Sequence, residues 1–291
     1  MSAVAVHEAT LRAGLVLPYA EVGDPAGTPV VLVHGYVDSW WVFEPLLRRM
    51  PSSLHVYAPT QRGHGDADKP PDGYLPEDFA ADLVAFMDTV GIERAVLVGA
   101  SSGGVQARIV AGRYPDRVAG LVLLGVPVTL ADKPVAAELW QVVRELEDPV
   151  DRDLAERFAL GMTAEPLARG FLETVVEENL KAPARVWRET LRGLLETDLR
   201  ATLSGILVPT LAVWGDRDPI LTREEQQTIL DTVIGSRLIV YEGAGHIVHW
   251  DMPERVVRDI AAFAASVDGN GNGGGGGGGN GNGNGNGNSV G

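Results

Sequence analysis

The chain contains no cysteine. Disulfides and thiolate metal sites are therefore excluded, and the redox compartment is left open. Basic residues are scarce: 24 Lys and Arg stand against 39 Asp and Glu, for a net charge of −15. Such a surface repels a phosphate backbone, so nucleic acid is not expected as a partner. There is no polybasic run for an anionic membrane. Long apolar runs are missing as well. No stretch reaches the roughly 18 apolar residues of a membrane helix. Met1–Leu11 lacks the apolar centre of a secretory leader. The default expectation is a soluble cytoplasmic protein with no membrane partner. Outside the Gly/Asn stretch from Gly269 neither GxGxxG nor a P-loop occurs, so no nucleotide cofactor is implied.

What is present is enough for a fold. With 45% apolar residues over 291 positions, the chain can bury one sizeable core, or a core plus an insertion. From Gly269 onward it is almost only Gly and Asn, which have nothing to bury. Residues 269–291 are expected to be a passive disordered tail. Upstream, strand-like and helix-like runs alternate, which implies a mostly parallel sheet. Val4–Thr10 and Leu15–Val22 read as an opening antiparallel pair. Val30–Val33, Leu54–Ala58, Ala95–Val98, Val118–Gly125, Thr210–Trp214 and Leu238–Tyr241 read as further strands. Phe79, Leu83, Phe86, Met87 and Val90 recur at helical spacing and predict a helix over Glu77–Val90, closed by Gly91. Between Pro127 and Gly205 strand runs vanish. Helices are expected there over Ala136–Leu146, Asp151–Leu160, Glu165–Asn179 and Ala184–Leu195.

The most informative segment is Gly99-Ala-Ser-Ser-Gly-Gly104. It joins a buried strand to a helix over Val105–Arg113. The sharp turn lifts the Ser101 hydroxyl clear of the sheet edge and aims the first N–H groups of a helix at whatever it attacks. A serine hydroxyl needs a base to take its proton, and the base needs a carboxylate to hold its tautomer. In that chain order stand Ser101, then Gly215-Asp216-Arg217-Asp218-Pro219, then Gly245-His246. Each group follows a strand-like run, which fits a site at the carboxyl edge of a parallel sheet. Asp218 is the candidate acid, with Asp216 as the alternative one register away. His249 is the rival of His246 and reads as a packing or surface residue.

Together these stretches resemble the α/β-hydrolase superfamily, from about Leu15 to Phe263. His34-Gly35-Tyr36, Gln61-Arg-Gly-His-Gly65, the Ser101 turn, Trp214–Pro219 and Gly245–Pro253 carry the resemblance. Thr60, Ala67 and Asp251 depart from common residues of that pattern. The resemblance implies a doubly wound α/β-hydrolase fold, with a helical cap inserted after the sixth strand. Residues 1–126 and 206–268 would form the core, and residues 127–205 the cap. It implies a Ser101–His246–Asp218 triad, Asp218 being the position three residues after Gly215. It also implies an oxyanion hole made by the backbone N–H groups of Tyr36 and Ser102. His34 and His64 are expected to organise loops. Trp40, Trp140, Phe158, Phe171 and Trp187 are candidates to line the substrate pocket.

The resulting functional expectation is a serine hydrolase of a small, largely apolar ester or lactone. Carbon–carbon bond hydrolysis and a cofactor-free perhydrolase or haloperoxidase activity remain open on the same residues. A small-molecule receptor with slow or no turnover is the alternative of another class. Serine at position 101 disfavours the dehalogenase and epoxide hydrolase branches, which use Asp there. The segment 127–205 also contains no tyrosine, whereas epoxide hydrolases use tyrosines in their cap. No cofactor is implied. A histidine serving as catalytic base cannot also be a ligand, so the His246–His249 pair assigns no metal. Oligomeric state is left open.

Overall fold

The computed structural model describes residues 4–268; the Gly/Asn stretch 269–291 lies outside them. Eight strands form one sheet: β1 (Ala5–Thr10), β2 (Val16–Gly23), β3 (Thr28–Val33), β4 (Leu54–Pro59), β5 (Ala95–Ala100), β6 (Val118–Leu124), β7 (Thr210–Gly215) and β8 (Arg237–Tyr241). Their order across the sheet is β1-β2-β4-β3-β5-β6-β7-β8. The β1–β2 and β2–β4 pairs are antiparallel, and all others are parallel.

Alternation along each strand sends successive side chains to opposite faces. Val31, Val33, Ala95 and Leu97 enter the core on one face, and Val30, Leu32, Val96 and Val98 enter the core on the other. Both faces are covered, which is why these strands read as unbroken apolar runs. Helices α2 (Pro76–Thr89) and α3 (Ser102–Arg113) pack on the first face, and α10 (Pro253–Asp268) packs on the second. The chain leaves β3 toward β4 on one side, then returns to β5 on the other. That reversal makes a crevice at the carboxyl ends of β3 and β5, where open α/β sheets bind ligands. Val33 and Gly99 are in register across it.

Four helices fill the chain between β6 and β7: α4 (Pro134–Val143), α5 (Arg152–Leu160), α6 (Arg169–Leu180) and α7 (Ala184–Glu196). They share a third apolar cluster with Tyr36, Tyr74 and Phe79 from the sheet side. α6 begins at Arg169, four residues later than the sequence pattern predicts. Glu165 precedes Pro166, which disfavours helical backbone at that position. The preceding residues are also bonded elsewhere. Met162 O accepts from Ile247 N at 3.1 Å, and Ala164 N donates to Asp251 Oδ2 at 3.2 Å. Helices α8 (Arg223–Thr232) and α9 (Val248–Asp251) complete the connections around β8, and α1 (Glu44–Leu47) follows β3. Among the described residues no helix is long and apolar enough to cross a membrane.

Candidate active site

Ser101 sits in the turn between β5 and α3 with φ +49° and ψ −121°. A side chain rarely adopts this conformation, and surrounding packing must hold it there. The glycines two residues either side permit it. A Cβ at Gly99 would lie 2.3 Å from Gly104 Cα, and one at Gly103 would lie 2.3 Å from the carbonyl oxygens of Val33 and His34. Close contact of backbone with backbone, more than free rotation, is what demands glycine here.

The Ser101 Oγ lies 2.9 Å from His246 Nε2, and His246 Nδ1 lies 2.8 Å from Asp218 Oδ2. The Asp218 side chain is fully buried, and His246 nearly so. With the Nδ1 proton donated to the carboxylate, Nε2 is left as an acceptor for the Ser101 hydroxyl. Asp218 is itself oriented, because its Oδ1 accepts from Ile220 N at 2.8 Å and Leu221 N at 2.9 Å. Asp216 is elsewhere. Its Oδ1 accepts from Gly243 N at 2.6 Å and ties the β7 loop to the β8 loop.

The turn after β3 lies against the serine: a methyl group at Gly35 would sit 3.5 Å from Ser101 Cβ. His34 braces this turn. Its Nδ1–H donates to Gly35 O at 2.9 Å, and its Nε2 accepts from Gln61 N at 2.9 Å. Burial drives its pKa well below the usual imidazole range, so it stays neutral in this role. His64 donates through Nδ1 to Arg62 O at 2.7 Å and packs on the His34 ring. Neither the Tyr36 nor the Ser102 backbone N–H has an acceptor among the described residues. His249 is buried with both ring nitrogens unpartnered, against Phe43 and Trp250.

A cavity with an empty volume of about 670 Å³ opens onto Ser101 and His246. Its walls are apolar, with Leu130, Leu139, Phe158, Met162, Leu191 and Ile220 among them. Of the five aromatic candidates for this wall, only Phe158 is on it. Trp187 is fully buried behind the wall, edge-on to Tyr36 at 5.6 Å and to Phe158 at 5.8 Å. Trp140 packs in the same cluster on the inside of the helical segment. Phe171 stacks on Trp41 at 5.1 Å, and Trp40 joins the neighbouring sheet-side cluster. Large rings at helical spacing are used here to join helices, and mid-sized aliphatic side chains face the void.

Four residues escaped the sequence reading. Asp251 Oδ2 accepts from Gly245 N at 2.7 Å as well as from Ala164 N, tying the His246 loop to residue 164. Arg108 is fully buried and donates to the carbonyls of Pro127, at 2.7 Å, and Leu199, at 2.8 Å. Asp38 and Asn179 meet near Ser101. Only the departure at Asp251 carried any signal; the other three partners are defined by contacts distant in sequence. Among the described residues, no three His, Asp or Glu side chains converge so as to hold a metal ion.

The chain has known relatives. A family model described as the alpha/beta hydrolase fold matches residues 28–253. The AB hydrolase superfamily protein YisY of Bacillus subtilis is 27% identical over 251 residues, covering 82% of this chain and 92% of its own. Epoxide hydrolase A of Mycobacterium tuberculosis is 26% identical, covering 88% and 96%. Among solved structures, an esterase from Exiguobacterium antarcticum superposes with a TM-score of 0.80 at 22% identity, over 89% of this chain and 98% of its own. The reversal of strand order, the β5–α3 turn and a family match over most of the described residues agree, and the chain belongs to the alpha/beta hydrolase fold family.

Proposed function

We propose that this protein is a serine hydrolase that cleaves a carboxylic ester or lactone of a small, largely apolar molecule. One observation carries the reading: the unbroken contact chain Asp218–His246–Ser101, at 2.8 and 2.9 Å, at the mouth of an apolar cavity. In this reading His246 takes the Ser101 proton as Oγ attacks the carbonyl carbon. The N–H groups of Tyr36 and Ser102 hold the developing oxyanion. His246 then protonates the departing alcohol, and water repeats the cycle on the acyl-enzyme. The helices of residues 127–205 act as the cap. They supply Leu139, Phe158 and Leu191 to the wall and so select the substrate.

One relative is named an epoxide hydrolase. A serine at position 101 supports acyl transfer instead, because its ester intermediate is released by the same base that formed it. The test is stoichiometric labelling by a fluorophosphonate probe, together with hydrolysis of p-nitrophenyl esters of rising chain length and of lactones. Label on Ser101 that is lost in Ser101→Ala, with turnover of at least one of these substrates, is expected. Absence of both label and turnover in folded protein would overturn the reading.

A further inference from the structure

A second chamber meets the apolar cavity at Ser101. It is much the smaller of the two, with room for about one water-sized group, and Tyr36, Phe158, Met162 and His246 line both. Ile247 and Trp250 close its sides, and two polar residues, Asp38 and Asn179, stand on its wall. The proposed hydrolysis uses neither. Asp38 is 6% exposed and Asn179 is 1% exposed.

The contacts of Asn179 decide what the chamber can bind. Its Nδ2 donates to Val37 O at 2.9 Å and to Asp38 Oδ1 at 3.3 Å. A backbone carbonyl can only accept, so this end of the amide must be the nitrogen. The amide oxygen then points away from both, and it is buried without a hydrogen-bond partner among the described residues. Buried acceptors are seldom left unpaired, and one on a residue that lines a cavity is an open position for a donor once that residue is approached. Asp38 adds a second acceptor. Burial raises its carboxyl to about 7, and the Asn179 amide pulls it the other way. A hydroxyl suits both states of that carboxyl, since it can donate to an oxygen anion or accept from an acid, while still donating to Asn179 Oδ1. An ammonium group would suit only the ionised form.

We propose that Asp38 and Asn179 form a hydroxyl-reading subsite, so that the substrate has one apolar arm and one short arm carrying a hydroxyl group. This rests on the reading of Ser101 as the site of ester cleavage. The apolar arm fills the chamber walled by Leu139 and Leu191. The short arm enters the chamber closed by Trp250, and its hydroxyl meets the two acceptors.

The test separates binding from turnover by using Ser101→Ala protein, in which esters are not consumed. Dissociation constants are measured by NMR titration for two isosteric pairs. Hexyl glycolate is compared with hexyl propanoate, and 2-hydroxyethyl hexanoate with propyl hexanoate. In at least one pair the hydroxylated ester is expected to bind about tenfold tighter or more, the size of one well-made buried hydrogen bond. Adding Asn179→Leu, or separately Asp38→Leu, is expected to bring that ratio within about threefold of one. The two variants are independent, so loss of folding in one leaves the other as the test. A ratio near one in both pairs would overturn the proposal, and so would a preference that survives both substitutions. Failure of wild-type protein to hydrolyse any of the four esters, with the binding preference intact, would instead sink the hydrolase reading and leave the subsite standing.

Discussion

The hydroxyl of Tyr36 donates to the backbone carbonyl of Trp187 at 2.7 Å, across 151 positions of sequence. Tyr36 follows β3 and Trp187 lies in α7, so this bond ties the loop beside Ser101 to the helical segment above it. The phenol is buried, and burial pushes its pKa well above the usual tyrosine range. It therefore serves as a permanent donor. Tyr36→Phe should lower stability by about 1–2 kcal/mol, because a buried carbonyl loses a side-chain donor. It should leave kcat within about threefold, since the oxyanion contact assigned to Tyr36 is a backbone N–H. Urea unfolding and ester kinetics on one preparation check both; a fall in kcat on the order of 10²-fold or more would give the phenol itself a catalytic role.

Asp218 and Asp216 are two residues apart and occupy different environments. Asp218→Asn should cost roughly 10³–10⁴ in kcat by presenting the wrong tautomer of His246. Asp216→Asn keeps a side-chain oxygen for Gly243 N and should be mild. Steady-state kinetics of the pair decide the assignment, and the opposite ranking would move the acid to Asp216.

His249 should make the protein acid-sensitive. Burial holds its pKa at about 3 and that of His64 at about 4, whereas an unfolded imidazole titrates near 6.5. Below that value the unfolded state binds protons that the folded state refuses, so stability falls with pH, by about 1.4 kcal/mol per unit for each such group. Asp38 acts in the opposite sense. Its folded pKa is raised to about 7, so between the carboxylate range and that value its contribution weakens as pH rises. His249→Leu isolates one of these histidines. Between pH 4.5 and 6 its unfolding free energy should depend on pH less steeply than wild type, by about that slope. Parallel urea-unfolding curves for the two proteins across this range would refute the assignment.

Arg108 reaches from α3 to both edges of the helical segment, at Pro127 and Leu199. Among the described residues no carboxylate accompanies it; its charge is spread over backbone carbonyls, and burial lowers its pKa to about 9. Arg108→Met should destabilise by about 2–4 kcal/mol, as the carbonyls lose their donors. Arg108→Lys should recover only part, because an ammonium cannot span two fork positions. A loss under about 0.5 kcal/mol for Arg108→Met, measured by urea unfolding, would mean that the segment is anchored elsewhere.

Substrate length should follow the aliphatic wall and ignore the buried aromatics. Leu139→Ala and Leu191→Ala each vacate room in the cavity. The preferred acyl chain should lengthen by about two or three carbons, at about 0.8 kcal/mol per methylene bound. Phe171→Ala, which removes a ring stacked on Trp41, should reduce stability and leave the chain-length optimum in place. An optimum that moves with Phe171 and stays fixed with both leucines would reverse this picture.

Much of the fold is legible in the chain because it is written locally. Apolar runs bounded by turn residues mark the strands, and Gly99 and Gly103 mark a turn that tolerates no side chain at either position. Ser101, Asp218 and His246 each follow a strand, so their approach needs only that β5, β7 and β8 run parallel in one sheet, with β6 alone between β5 and β7. The walls of the cavity are a different matter. Helical spacing shows that Trp140, Phe171 and Trp187 lie on packed faces, Trp187 fully buried and the other two half-buried, but whether such a face looks at another helix or at a void depends on how four helices cross. The start of α6 is set in the same way: hydrogen bonds from Ile247 and to Asp251 hold residues 162 and 164, and no local propensity encodes them.

By itself, the sequence determined the strand-and-helix alternation, the strained turn at Ser101 and the chain order of a serine, an acid and a histidine. These depend on period, sterics and residue chemistry over a few neighbouring positions. Only the tertiary structure decided that Leu139 and Leu191 face the cavity while Trp187 backs it, that Arg108 clamps both ends of the helical segment, and that Asp38 meets Asn179 beside Ser101. Asp38 and Asn179 are 141 positions apart. A contact that distant is set by the packing of whole elements, and no short stretch of chain contains it.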